Sequence, residues 1–160
     1  MIDILFILKK NETYGFKTTT KRSSGLWNST RFIVEALVNA GLRAEIIEVI
    51  DNNCIDRHVK HLKPRIVIIE ALWVVPEKFK VLSRLHPCIK WFVHMHSGMA
   101  FLAQEGIAME WLRKYHQHGV GVIANSLATY EAFGELMPER HLRYLPNVYI
   151  PHHMAEAKKF

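Results

Sequence analysis

Apolar and polar positions along the chain fall into two alternating kinds of block. Short runs rich in Ile, Val, Leu and Phe occur at residues 2–8, 43–50, 66–69, 89–94, 120–124 and 142–145. Each is too short for a stable helix and the right length for a buried strand. Between them, apolar residues return at helical spacing. Phe32, Ile33, Ala36, Leu37 and Ala40 form one such stripe, Ile107, Met109, Trp111, Leu112 and Tyr115 another, and helices are also predicted over 54–63, 76–85 and 127–137.

Local punctuation supports this division. Asn28 or Ser29 can cap the first helix through a side-chain oxygen, and Gly41 supplies its left-handed stop. Pro64 ends the second helix, Pro76 suits the first turn of the third, and His86-Pro87 breaks it. Gly119 stops the fourth helix, and Asn125-Ser126 offers a cap for the fifth, which ends before Pro138. Residues 11–25 and 98–106 are read as loops, the first long for a connection in a compact domain.

Strict alternation of strand and helix implies a parallel sheet covered on both faces by right-handed crossovers. The predicted fold class is α/β: a Rossmann-like, doubly wound, mostly parallel six-stranded sheet with helices on both faces. The domain is expected over residues 1–151, followed at 152–160 by a polar tail or the start of an interdomain linker. In the Rossmann order the ligand crevice lies beyond the carboxyl ends of the first and fourth strands. That order sets residues 18–25 opposite residues 94–98.

Composition narrows the setting more than the function. At 160 residues and 49% hydrophobic content, the chain can bury a core without disulfides. Cys54 and Cys88 form no Cys-x-x-Cys pair, which points to a reduced, cytoplasmic setting. The first ten residues lack the basic lead and cleavage site of a signal peptide, and no apolar run approaches the ~20 residues of a membrane span. The formal net charge of +6 suits phosphate-bearing partners or peripheral contact with an anionic membrane. Direct nucleic-acid binding is not expected, because the basic residues form small scattered groups and build neither a recognition helix nor a stacking platform.

The chemistry-bearing stretch is Ile89-Lys90-Trp91-Phe92-Val93-His94-Met95-His96-Ser97-Gly98, an apolar run that empties into polar residues. His94 and His96 share one side of a strand because side chains alternate. Catalysis or ligand contact, metal ligation with Asp51 or Glu70 at other strand ends as conceivable further ligands, and plain structural packing all fit such a pair. Ser24-Gly25 precedes a helix and could receive a phosphate on backbone N–H groups, or simply permit a turn. Trp91 reads as core, whereas Trp73, just past a strand end, is the better ligand candidate. Ser126 lacks the Gly-x-Ser-x-Gly elbow, so its capping role explains it. His58 and His61 read as a solvated pair.

With these elements placed, the chain resembles the N-terminal domain of group 1 glycosyltransferases of the two-domain GT-B architecture. The resemblance rests on Ser24-Gly25 before the first helix, His94-Met95-His96 after the fourth strand, Val122-Ile123-Ala124-Asn125-Ser126 at the fifth, and Leu145-Pro146-Asn147-Val148 at the sixth. It implies that Ser24 and Gly25 face the donor diphosphate. His94 and His96 become candidates for general base or acceptor orientation, with Trp73, Ser97, Asn125 and Ser126 lining an acceptor cleft. A nucleotide-sugar donor is the implied cosubstrate, with no metal and no other cofactor. The partner would be a glycan or other hydroxyl-bearing acceptor, and Pro146-Asn147 would lead toward a separate or missing C-terminal donor-binding domain. The expected function is therefore the acceptor-binding half of a glycosyltransferase, incomplete for catalysis alone. A non-catalytic Rossmann-like module for a glycan or a protein is the alternative, and a metal-dependent hydrolase using His94 and His96 a third reading.

Overall fold

A computed structural model describes residues 2–10 and 24–148 of the chain. Its strands are β1 (Ile4–Lys9), β2 (Ala44–Val49), β3 (Ile66–Glu70), β4 (Lys90–Met95), β5 (Gly121–Ala124) and β6 (Leu142–Tyr144). The helices are α1 (Ser24–Asn39), α2 (Ile55–Leu62), α3 (Pro76–Leu85), α4 (Met99–Gln104), α5 (Gly106–Tyr115) and α6 (Leu127–Gly134). All six strands pair in parallel, in the order β2-β1-β3-β4-β5-β6. The doubly wound α/β sheet expected from the alternation is the fold.

Side-chain alternation divides the core into two layers. Leu5, Ile7, Val67, Ile69, Trp91, Val93 and Val122 point to one face, where they meet Val59 of α2, Phe79 and Leu82 of α3, Leu112 and Tyr115 of α5, and Phe133 of α6. Phe6, Ile68 and Ile123 point to the other, where Ile33 of α1 packs on them with Phe92, Leu145 and Val148. Edge-to-face contacts of Phe79 with Trp91 at 6.1 Å and Tyr115 at 5.4 Å knit the thicker layer.

Three expectations change. Helix α1 starts at Ser24, ahead of the Asn28 or Ser29 cap, because Leu26 and Trp27 extend the helical apolar pattern backwards. The loop expected over 98–106 contains α4, a single short helix seated by one buried side chain, Leu102. Its periodic signal is too brief to stand out between Gly98 and Gly106. The crevice is displaced as well, because β3 pairs with both β1 and β4. Strand order therefore reverses between β1 and β3, not between β1 and β4. Alternating segments fix the hand of each crossover but not which strand lies beside which.

Two glycines meet real constraints near β5. Gly119 ends the turn after α5 at φ 73°, a left-handed conformation. At Gly121 a Cβ would sit 2.5 Å from the Phe92 ring and 3.2 Å from the His141 carbonyl. Gly121→Ala should therefore lower stability by about 1–3 kcal/mol in urea unfolding. Gly25→Ala, where a Cβ meets nothing within 4 Å, should be neutral or stabilising; equal behaviour of the two variants would contradict the close approach.

Tyr115 is buried and donates its hydroxyl to the Val74 carbonyl at 2.8 Å. Burial first, and the negative charge of Glu77 second, push its phenol well above the ordinary range. An unfolded chain would release that proton near pH 10, while the folded one keeps it. The unfolded state then binds fewer protons, so stability falls as pH rises beyond that point. Tyr115→Phe should flatten this alkaline loss while costing about 1 kcal/mol at neutral pH, read from unfolding midpoints on either side of pH ~10. An unchanged alkaline slope would show that Tyr115 does not carry it.

Candidate functional site

The carboxyl ends of β3 and β4 bring together three titratable side chains. Glu70, the last residue of β3, lies directly across from His94 in the parallel register. His96 follows two residues later and shares the side of His94, as period two requires. Glu70 and His94 are fully buried, and the His96 side chain keeps 16% exposure. His94 Nδ1 stands 3.3 Å from Glu70 Oε1 and 3.2 Å from Oε2. His96 Nε2 lies 2.5 Å from Oε2. The two imidazole rings are 4.3 Å apart, centroid to centroid.

The outer nitrogen of His94 is also committed. Nε2 lies 3.1 Å from the Leu145 carbonyl, and a carbonyl only accepts, so Nε2 carries the hydrogen. Burial pushes the Glu70 carboxyl up, but hydrogen bonds from His94 and His96, and their charge, outweigh it and hold Glu70 below the usual carboxylate range. The backbone turns sharply beside this group. Ala71 sits at φ 68°, a left-handed conformation that disfavours a Cβ, and its N–H donates to the His94 carbonyl at 2.9 Å.

The other residues singled out by sequence are placed unevenly. Trp73 donates Nε1–H to the Glu70 carbonyl at 2.8 Å and packs partly buried beside the core, so its indole N–H is engaged within the fold. Asn125 donates Nδ2–H to the His96 carbonyl at 3.2 Å, which links β5 to the histidine segment. Ser126 accepts the Thr129 N–H at 3.2 Å as the cap of α6 and donates to Thr129 Oγ1 at 2.8 Å. Ser97 is half-buried after β4. Ser24 and Gly25 lie within the first turn of α1, not in a loop ahead of it. The space over Gly25 is open, so no close backbone approach singles out glycine there. Residues 18–23, expected to face the histidines, lie outside the described residues.

Glu70, which the sequence offered only beside Asp51 as a conceivable further ligand, is the carboxylate at the histidines, and the Leu145 carbonyl is a partner that sequence reasoning did not assign. The Leu-Pro-Asn segment, expected to lead away as a linker, folds back instead. Leu145 N–H donates to the Ala124 carbonyl at 3.0 Å, and Asn147 Oδ1 accepts from Ser29 Oγ of α1 at 3.0 Å. Among the described residues, Glu70, His94 and His96 form a group able to ligate a metal, with ligating atoms all within 4.8 Å of one another. A groove of about 580 Å³ lined by Val59, Lys60, Arg65, Leu85 and Cys88 lies at the opposite, amino end of the sheet. No helix among the described residues is long and apolar enough to cross a membrane.

No protein-family model matches the chain, and none of the curated proteins does. Several solved structures are similar to it, among them the following three. One, described as a pilus assembly-related protein from Burkholderia pseudomallei, is 15% identical, with a TM-score of 0.45 over 77% of this chain and 78% of that one. Another, a pilus assembly protein (CpaE) from Burkholderia thailandensis, is 18% identical, with a TM-score of 0.43 over 78% and 85%. The third, a two-component response regulator of the LuxR family from Aurantimonas, is 13% identical, with a TM-score of 0.46 over 91% and 90%.

The glycosyltransferase resemblance is corrected, and with it glycosyl transfer and the nucleotide-sugar donor: no family model matches, and the solved structures found are described as pilus assembly proteins and a response regulator. The site gives a physical reason. His94 is buried with both ring nitrogens turned to internal partners, so it has no free position toward an acceptor hydroxyl. The short motifs that carried the resemblance serve as cap, strand link and return segment. Glu70→Ala should lower stability by on the order of 3 kcal/mol, and Asn125→Ala by about 1 kcal/mol, in denaturant unfolding. A smaller loss at Glu70 than at Asn125 would contradict a cluster that holds the strand ends.

Proposed function

We propose that the chain is a non-catalytic Rossmann-like module that binds a partner protein at the carboxyl end of its β4–β6 half. The observation that carries this reading is a group of large apolar side chains left in solvent there. Phe101 on α4 is 54% exposed, Leu127 at the start of α6 59%, and Tyr144 at the end of β6 48%. Parallel strands and their crossovers put all three at one end of the sheet. Exposed large apolar side chains at one end of a sheet are candidates for a contact surface.

Two further features support it. The histidines at this end are turned inward onto Glu70, which suits a rigid platform better than a reacting centre. The net charge of +6 favours an acidic partner surface and would speed its approach. Free Cys54 and Cys88 fit a reduced, cytoplasmic setting for the module.

The test is site-specific photo-cross-linking in the source cells, with the reactive residue at 101 or 127 and, for comparison, at Val38 and Val81. The latter are also exposed apolar positions. A discrete adduct with another protein should form from 101 and 127 only, and should weaken as salt is raised. Adducts of equal yield from all four positions, or adducts with glycan alone, would overturn the reading.

A further inference from the structure

We propose that Glu70, His94 Nδ1 and His96 Nε2 form a binding site for one transition-metal dication of the zinc class. This site is independent of the partner-binding reading. It is built into the sheet, with Glu70 closing β3 and the histidines on β4 and just beyond it.

The hydrogen on His94 decides what Nδ1 presents to Glu70. Because Nε2–H points at the Leu145 carbonyl, His94 can donate to Glu70 from Nδ1 only as the doubly protonated ring; the neutral ring turns the bare lone pair of Nδ1 toward the Glu70 carboxylate, 3.2 Å away and fully buried. Two electron-rich groups then face each other without water between them, and a cation between them relieves the conflict. A metal-bound imidazole characteristically donates its remote N–H to a backbone carbonyl, which fixes the tautomer and the ring. His94 already has that outer partner.

The donor set and spacing agree with this assignment. Two imidazole nitrogens and one carboxylate oxygen suit zinc and its neighbours better than calcium or magnesium, which prefer oxygen. Ligand atoms about 2.0–2.1 Å from a tetrahedral zinc stand roughly 3.3 Å apart. The His94–Glu70 separation of 3.2 Å matches, and His96 at 2.5 Å from the carboxylate needs to move outward by less than about 1 Å. The 16% exposure of His96 leaves an entry from solvent. A proton held between His94 and Glu70 would also satisfy the buried geometry, so the experiment must separate proton from metal.

Untagged full-length protein, freed of metal by chelation, would be titrated with zinc and with cobalt(II). Bound metal would be counted by mass spectrometry, and thermal unfolding followed with and without chelator. The expected result is one ion per chain, a cobalt visible spectrum with nitrogen and oxygen ligands, and a melting temperature that drops on chelation. His96→Ala, at a partly exposed position that should still fold, is expected to weaken binding at least about 100-fold and to abolish the chelator effect. Glu70→Gln, which keeps the side-chain shape, should do the same. The double variant His58→Ala/His61→Ala should leave binding unchanged. Absence of stoichiometric metal, binding retained in His96→Ala, or binding lost with His58 and His61 would each overturn the proposal.

Discussion

A carboxylate buried between two imidazoles is the constraint around which the carboxyl end of this sheet is arranged. An ionised carboxyl removed from water is strongly disfavoured unless it is matched by charge and hydrogen bonds. Glu70 is matched by His94 and His96, and that match demands adjacency of β3 and β4 in one register. A slip of one residue in β3 would turn Glu70, and one in β4 would turn His94 and His96, to the opposite face, into the layer built from Val93, Met95 and Ile69.

The surrounding contacts follow from holding that group in place. Trp73 and Ala71 tie the chain leaving β3 to the backbone at the ends of β3 and β4, the latter in a left-handed conformation. Asn125 grips the His96 carbonyl from β5. Leu145 caps His94 from the far edge, and Asn147 continues to Ser29 on α1. Elements distant in sequence are thus joined by short polar links over a dry sheet. The apolar side chains left exposed at this end, Phe101 and Leu127, flank a structure made stiff by those links.

Much of the fold was legible in the sequence because its signals are local. The unbroken Ile66-Val67-Ile68-Ile69 run, Pro76 at the first turn of α3 and Ser126 at the α6 cap each report on their own neighbourhood, and each is where the pattern predicts. The side shared by His94 and His96 was equally readable from period two. The choice of Glu70 over Asp51 was not, because the meeting of Glu70 with His94 depends on β3 lying beside β4. Rossmann order would have placed β1 there, and alternation alone does not choose between the two. The family resemblance failed for a related reason. Ala-Asn-Ser and Leu-Pro-Asn are short segments with ordinary structural duties here, and fold-level likeness does not carry function.

The state of the His94 ring tests this account most directly. Long-range nitrogen–proton NMR on imidazole-labelled protein, combined with hydrogen exchange, reports which ring nitrogen carries hydrogen and whether solvent reaches it. The account predicts a hydrogen on Nε2, bonded to the Leu145 carbonyl and exchanging only when the carboxyl end of the sheet opens. A His94 ring whose Nε2 lacks that hydrogen, or exchanges it freely with water in the folded protein, would contradict the buried cluster.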